Sequence, residues 1–164
     1  MSIQTQTLEN IWKLLDSVMD PEVPVISIVD LGIVRDVKLD EGQVNIVITP
    51  TYSGCPAMDY IEKDIRETLA NEGHETVNIE TVLSPAWTTD WLSEKGRIKL
   101  QEYGIAPPEG SIDKSTLLAN AKNITCPHCK SVNTELISQF GSTACKALYK
   151  CKDCLEPFDY FKCI

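Results

Sequence analysis

Residues Val44–Met58, VNIVITPTYSGCPAM, decide how the first part of this chain folds. Within them, Val44, Ile46 and Ile48 alternate with polar or smaller residues, which is typical of a strand with one buried face. Turn-forming residues then follow from Thr49 to Gly54, and apolar residues recur beyond them at helical spacing. The sequence therefore predicts a strand, a loop and a helix in succession. The apolar residues of the predicted helix are Met58, Ile61, Ile65 and Leu69.

Cys55 lies in this loop directly before Pro56, and proline is favoured at the first position of a helix. We therefore expect Cys55 at or beside the N-cap, where unpaired N–H groups and the positive end of the helix dipole favour a thiolate. Such an environment lowers the pKa of the thiol and makes the sulfur a better nucleophile or metal ligand. Free cysteines are also common as small buried hydrophobic residues, so the residues alone leave both interpretations open.

Further helices and strands are predicted on both sides of this stretch from the same periodicities. The segment Asp20–Gly32 contains two prolines and has little helical character, so we expect it to lie extended against the core. The other predicted elements are a helix from Leu8 to Val18 with Thr7 as its cap, a hairpin of Ile33–Leu39 and Gln43–Thr49 joined by Asp40-Glu41-Gly42, a strand from Val77 to Leu83, and a short helix from Thr89, its cap, to Tyr103.

The end of the chain holds two Cys-x-x-Cys motifs, Cys126-Pro127-His128-Cys129 and Cys151-Lys152-Asp153-Cys154, separated by 21 residues. Two such motifs complete a tetrahedral four-thiolate site, as in zinc ribbons. A segment of roughly 40 residues is too short to bury a core and generally needs a metal of this kind. Structural zinc, which stabilises such modules by ~10–16 kcal/mol, is the first choice, and iron or an iron–sulfur cluster is the alternative. The predicted ligands are Cys126, Cys129, Cys151 and Cys154, and the predicted non-ligands are Cys145, Cys163 and His128.

The composition and charge of the chain limit the cellular compartment and the kinds of binding partner that we expect. No apolar run is long enough to cross a bilayer, and Met1–Gln6 lacks the pattern of a secretion signal. We therefore expect a cytoplasmic location, where seven cysteines favour metal binding or thiol chemistry over disulfides. Residues 1–105 carry 8 basic and 18 acidic side chains, so nucleic acid is a poor partner. The shifts in composition predict a first domain over 1–105, a linker over 106–122 and a four-cysteine module over 123–164.

Several of these stretches resemble known families. Asp20–Gly32, the loop Thr49–Pro56 and the helix after it resemble the iron–sulfur cluster assembly factors, the family that includes bacterial SufT. Three stretches are similar to ones typical of the PaaD family, the D components of the ring-1,2-phenylacetyl-CoA epoxidase system of aerobic phenylacetate breakdown. They are SPAWTTDWLSEKGR (Ser84–Arg97), YGIAPP (Tyr103–Pro108) and FGSTACKALYKCKDCLEPFDYFKCI (Phe140–Ile164).

The resemblance implies an α+β domain, with a small mixed sheet and helices packed on it, followed by a small zinc-ribbon-like β module. It also implies an accessory role without turnover, in which this component helps to mature the metal centres of the epoxidase. The family's reactive cysteine corresponds to Cys55 and the acidic residue of its Asp-Pro motif to Asp20, and Thr51 in the same loop is the third candidate. The resemblance thus implies that iron or an iron–sulfur unit is held transiently here and delivered to an oxygenase or reductase component.

One thiol cannot enclose a cluster, so we expect a homodimer or a complex with a client protein. Two other functions remain open at this point. The four-cysteine module is compatible with a ribbon that binds nucleic acid or protein, although it lacks a basic patch with interleaved aromatic residues. A thiol-dependent enzyme using Cys55 needs a nearby base, for which the sequence offers only His74 and His128.

Overall fold

The structure is a computed structural model that describes residues 3–109 and 124–162, with the backbone alone for residues 3–6. The chain forms two compact units. The amino-terminal unit is Met1–Trp87 with Trp91–Ser93, and the carboxyl-terminal unit is Thr88–Asp90 with Glu94–Ile164. Each unit contains helix and a small sheet, which confirms the predicted α+β class. None of the helices within the described ranges combines the length and apolar character needed to cross a bilayer.

The amino-terminal unit is built on a three-stranded sheet in the order β1-β2-β3. Strands β1 (Val34–Asp40) and β2 (Gln43–Ile48) pair antiparallel, whereas β3 (Val77–Thr81) lies parallel to β2, so the sheet is mixed. Glu41 and Gly42, between β1 and β2, have φ angles of 49° and 86°. Positive φ at both central residues is the mark of a type I′ turn, whose twist matches that of a hairpin. The predicted hairpin is confirmed.

Two helices cover one face of this sheet: α1 (Ile3–Leu15) contacts α2 (Ala57–Asn71) and β1, and α2 also contacts β3. Helix α1 begins at Ile3, so Thr7 lies inside it and the prediction of Thr7 as the N-cap is wrong. The helix can extend to Ile3 because residues 3–6 contain no proline or glycine. The core residues of α1, α2 and β2, all at most 1% exposed, are Ile11, Leu15, Val44, Ile46, Ile48, Ile61, Ile65 and Leu69.

The segment Asp20–Gly32 is a succession of turns, so the prediction of an extended strip is wrong. Oδ1 of Asp20 accepts hydrogen bonds from the backbone N–H groups of Glu22 and Val23, both at 2.8 Å, and this side-chain bonding fixes the first turn. Gly32 ends the segment with φ of 75°, and a β-carbon there would lie 2.8 Å from Cβ of Trp91. Only glycine fits that conformation and that approach. The buried apolar residues of the segment are Val23, Ile26, Ile28 and Leu31.

The carboxyl-terminal unit is built on a four-stranded sheet in the order β4-β7-β6-β5. Strand β6 (Lys146–Cys151) pairs antiparallel with both β5 (Thr134–Ser138) and β7 (Pro157–Phe161), and β4 (Ile105–Ala106) pairs with β7 in parallel. Aromatic packing centres on Tyr149, whose ring centroid lies 5.9 Å from that of Phe158 and 5.8 Å from that of Tyr160. The buried core of this unit comprises Ala106, Ile124, Cys126, Ala147, Tyr149, Cys151, Phe158 and Tyr160.

The division into units differs from the predicted domains. A 3-10 turn, Thr89–Trp91, precedes helix α3 (Glu94–Glu102), so Thr89 does not cap one continuous helix. Both α3 and β4 belong to the carboxyl-terminal unit, although the sequence placed residues up to 105 in the first domain. The cause is the pairing of β4 with β7, a long-range contact that local composition does not reveal. Residues 110–122 of the predicted linker lie outside the described residues.

Candidate metal centre and thiol site

Each Cys-x-x-Cys motif folds into a tight turn in the carboxyl-terminal unit. In the first knuckle (Cys126–Ser131), the first N–H donates to the last carbonyl at 2.8 Å, and in the second knuckle (Cys151–Glu156) the same bond is 3.0 Å long. The residue after the second cysteine has positive φ in both, 65° at Lys130 and 66° at Leu155. The two motifs therefore follow the same backbone path, which turns both sulfurs of each motif toward one point.

The four sulfurs converge on that point and all lie within 4.8 Å of one another. Cys126 Sγ lies 3.7 Å from Cys154 Sγ, and Cys129 Sγ lies 3.5 Å from Cys151 Sγ. A tetrahedral ion with metal–sulfur bonds of about 2.3 Å separates its ligand sulfurs by about 3.8 Å. The spacing therefore fits one four-coordinate ion. Cys126 and Cys151 are buried, whereas Cys129 is exposed and Cys154 is half-buried.

Backbone N–H groups, desolvation and the neighbouring thiols together set the pKa values of these sulfurs. The N–H groups of Cys154 and Asp153 are the main donors that lower the pKa of Cys151 to about 7. The N–H of Glu156 acts in the same direction on Cys154, but desolvation and the neighbouring thiols raise the pKa of Cys154 to about 12. Of these two thiols, Cys151 therefore ionises more readily. Further thiolates at such short separations repel one another and require a bound cation.

Among the described residues, Cys145 and the two histidines stand outside this four-sulfur group. Cys145 is buried, with its sulfur 3.1 Å from Oγ1 of Thr143, and it does not belong to the group. His128 is exposed within the first knuckle, and His74 is half-buried in the turn after α2. Cys163, which the sequence set aside as a non-ligand, lies outside the described residues.

The second candidate site is the loop between β2 and α2 in the amino-terminal unit. The N–H of Cys55 donates to the carbonyl of Tyr52 at 3.3 Å, and Gly54 has φ of 78°, the arrangement of a type II turn. Pro56 is the N-cap of α2, and the carbonyl of Cys55 accepts from the N–H of Met58 at 3.3 Å. Cys55 therefore sits directly before the cap, as expected, and its side chain is half-buried.

The expected low pKa of Cys55 is wrong. Burial raises the pKa of the thiol above its ordinary 9.0, while the Ala57 N–H and the Tyr52 side chain lower it less. The carboxylates of Glu22 and Asp20 raise it further, because a thiolate beside them would meet like charge. The helix start does act in the predicted direction, through the Ala57 N–H. Burial of the thiol by the surrounding fold raises the pKa more than this N–H lowers it, and the local sequence does not show that burial.

The structure brings some of the predicted residues together and adds others. Asp20, only 6% exposed, lies near enough to Cys55 for its charge to act on the thiol. Thr51, 8% exposed, is buried in the same loop. Tyr52 and Glu22 also act on Cys55, and the sequence analysis missed both. The position of Glu22 two residues after Asp20, in the same turn, was the available signal.

Comparison with known proteins defines the class first. The family model "Iron-sulfur cluster assembly protein" matches residues 8–81, and the model "PaaD zinc beta ribbon domain" matches residues 110–162. The crystal structure of a domain of unknown function, DUF59, from Bacillus anthracis superposes with a TM-score of 0.55 and 31% identity, over 59% of this chain and 93% of that one. Together with the four converging thiols, these matches define an iron–sulfur cluster assembly protein that carries a metal-binding ribbon.

Relatives then give the family. The putative D component of the 1,2-phenylacetyl-CoA epoxidase of Escherichia coli is 51% identical over 99% of this chain and 97% of its own length. Fe-S protein maturation auxiliary factors of Porphyromonas gingivalis and Bacillus subtilis are 36% and 40% identical over 58% and 56% of this chain, and over 91% of each relative. The chain therefore belongs to the PaaD family. This confirms the resemblance that was based on Ser84–Arg97 and on the cysteine-rich end of the chain.

Proposed function

We propose that this protein is a non-catalytic accessory factor that holds iron or an iron–sulfur unit transiently and delivers it to a component of the phenylacetyl-CoA epoxidase. The observation that carries the proposal is the half-buried Cys55 thiol at the start of α2, with the carboxylates of Asp20 and Glu22 acting on it. Membership of the PaaD family and similarity to Fe-S protein maturation auxiliary factors support the same role.

The chemistry of this site suits a cargo that must leave again. Thiolate and carboxylate are both ligands for iron, and Cys55, Asp20 and Glu22 supply these types together. The raised pKa of Cys55 keeps its sulfur protonated at neutral pH, so that the cargo must displace a proton to bind. That competition weakens binding and favours release to a client with lower-pKa ligands. Thr51, buried in the same loop, is the third residue that we assign to this site.

A single sulfur leaves the coordination of an iron–sulfur unit incomplete. We therefore propose that a second copy of the chain, as a homodimer, or the client itself supplies the missing ligands. The client is an oxygenase or reductase component of the epoxidase, since these carry the metal centres. We place the protein in the cytoplasm, where thiols remain reduced.

The four-cysteine group is proposed to hold structural zinc through Cys126, Cys129, Cys151 and Cys154. Its sulfur separations suit a single ion, and thiolates at such a site would be neutralised by Zn²⁺. The ion would supply no turnover chemistry and would join the two knuckles of the ribbon. An iron–sulfur cluster places several irons between its thiolates and therefore requires wider sulfur separations. An iron–sulfur cluster or a single iron is the alternative, and analysis of metal and sulfide distinguishes both from zinc.

The test is the substitution Cys55→Ser in cells that express the whole epoxidase system. We expect the purified oxygenase and reductase components to lose iron and epoxidase activity, while the variant keeps its own metal and its thermal unfolding profile. Ser53→Ala, an exposed change in the same loop, is the matched control. Full iron content in the epoxidase components beside Cys55→Ser would defeat the proposal.

A further inference from the structure

A side-chain network joins the two knuckles outside the sulfurs. Oδ1 of Asp153, in the second knuckle, accepts a hydrogen bond from Nδ2 of Asn133 at 2.8 Å, and Oδ2 accepts from the hydroxyl of Ser131. The N–H of Lys152 donates to the backbone carbonyl of Asn133, also at 2.8 Å. Ser131 is the last residue of the first knuckle and Asn133 lies between it and β5, so the three bonds connect the second knuckle to the end of the first and to the residues just after it.

The position of this network matters because of how the sulfurs pair. Each of the two short sulfur contacts, Cys126 with Cys154 and Cys129 with Cys151, joins one cysteine from each knuckle. The separation of the knuckles therefore sets the separation of the sulfurs. Thiolates without a cation would push the knuckles apart, whereas bonds from Asp153 hold them together. Hydrogen bonds to an ionised carboxylate are among the stronger ones that an exposed surface offers.

We propose that Asp153 is a positioning residue, which clamps the two knuckles through Ser131 and Asn133 at the separation that one tetrahedral ion requires. The clamp acts on the metal only through the cysteines, and it slows metal loss because both knuckles must separate before the ion leaves. Residues that orient metal ligands typically change metal affinity by about 10–100-fold when they are removed.

A simpler effect must be distinguished from the clamp. Asp153 carries a negative charge beside a site for a cation, and charge alone favours binding. Glu156 offers the matched control, because it is an acid in the same knuckle and its side chain has no hydrogen bond or ion pair within the part of the chain that the structure describes. Charge alone predicts faster release on loss of either acid, whereas the clamp predicts an effect for Asp153 only.

The experiment measures the rate at which the full-length, zinc-loaded protein releases zinc to a chromogenic chelator. Asp153→Ala should release zinc about tenfold faster or more, and Glu156→Gln should release it at the wild-type rate. Asp153→Asn keeps an acceptor for Asn133 and a polar partner for Ser131, so it should retain most of the slow release. Asn133→Ala should also speed release, and adding it to Asp153→Ala should cause little further change, because both remove the same bond.

Wild-type release from Asp153→Ala would overturn the inference, and so would equally fast release from Asp153→Asn and Asp153→Ala. The absorption spectrum of the cobalt-substituted variants reports whether the four-sulfur geometry survives. If Asp153→Ala cannot be loaded at all, Ser131→Ala and Asn133→Ala each test one bond, and wild-type rates in both would overturn the clamp. The inference rests on the proposed single-ion site, but absence of zinc from the wild-type protein would defeat that site, whereas unchanged release defeats only the clamp.

Discussion

Cys55 should react slowly with alkylating reagents at neutral pH. Burial holds its pKa above 9.0, against the opposing bonds from the Ala57 N–H and the Tyr52 side chain. A thiol with a pKa of 9 is only about 1% ionised at pH 7, so the thiolate fraction of Cys55 lies below that. Because the thiolate is the reactive form, its alkylation rate should rise about tenfold per pH unit and continue to rise beyond pH 9.

The assay is alkylation by iodoacetamide at a series of pH values, with the Cys55 peptide quantified by mass spectrometry and the metal kept in the ribbon. Two variants should move the profile in opposite directions. Glu22→Gln removes a charge that raises the pKa of Cys55 and should speed its alkylation, whereas Tyr52→Phe removes a bond that lowers the pKa and should slow it. Asp64→Asn, on the exposed side of α2, is the control. A rate that levels off below pH 8 would refute the argument that burial dominates at this site.

Three further outcomes follow from the packing. Chelating the metal of the four-cysteine group should unfold the carboxyl-terminal sheet, since structural zinc contributes ~10–16 kcal/mol to such modules. Amide hydrogen exchange should then become faster in β5–β7 and stay slow in β1–β3. Slow exchange in both sheets after chelation would contradict this. Gly32→Ala should destabilise the amino-terminal unit by at least about 1–3 kcal/mol in urea unfolding, because alanine is strained at φ of 75° and its β-carbon would meet Trp91. Thr49→Val should leave stability unchanged or raise it by up to about 1 kcal/mol, because Oγ1 of Thr49 is buried with no hydrogen-bond partner in the described part of the chain; a large loss in the same assay would mean that the hydroxyl is satisfied.

The features that the sequence predicted correctly are those that local chemistry determines. The strand, loop and helix around Cys55 follow from side-chain periodicity, and the hairpin turn follows from the short run Asp40-Glu41-Gly42, whose glycine tolerates positive φ. The convergence of the four sulfurs follows from two identical short motifs, because each knuckle forms from its own backbone. The strand, loop and helix, the hairpin turn and each single knuckle need no information from distant parts of the chain. The approach of the two knuckles is a long-range contact, which was predicted from the recurrence of the Cys-x-x-Cys motif.

The features that the sequence did not reveal depend on contacts between distant residues. The pKa of Cys55 is set by burial, which the spacing of loop residues does not report. The turns of Asp20–Gly32 are the exception, because Asp20 bonds to the N–H groups of residues just after it, a local signal that the prolines and apolar residues of the segment obscured. The role of β4 was missed because its partner, β7, lies more than fifty residues further along the chain.

The pairing of β4 with β7 has a consequence for anyone who wishes to transplant the ribbon. A fragment that starts at residue 123, where the cysteine-rich sequence begins, would lack β4 and would leave one side of β7 with unsatisfied backbone groups. Bare strand edges of this kind recruit other chains and cause aggregation. A fragment for transplantation should therefore start near Glu94, where α3 begins. Such a fragment includes β4, which pairs with the edge of β7.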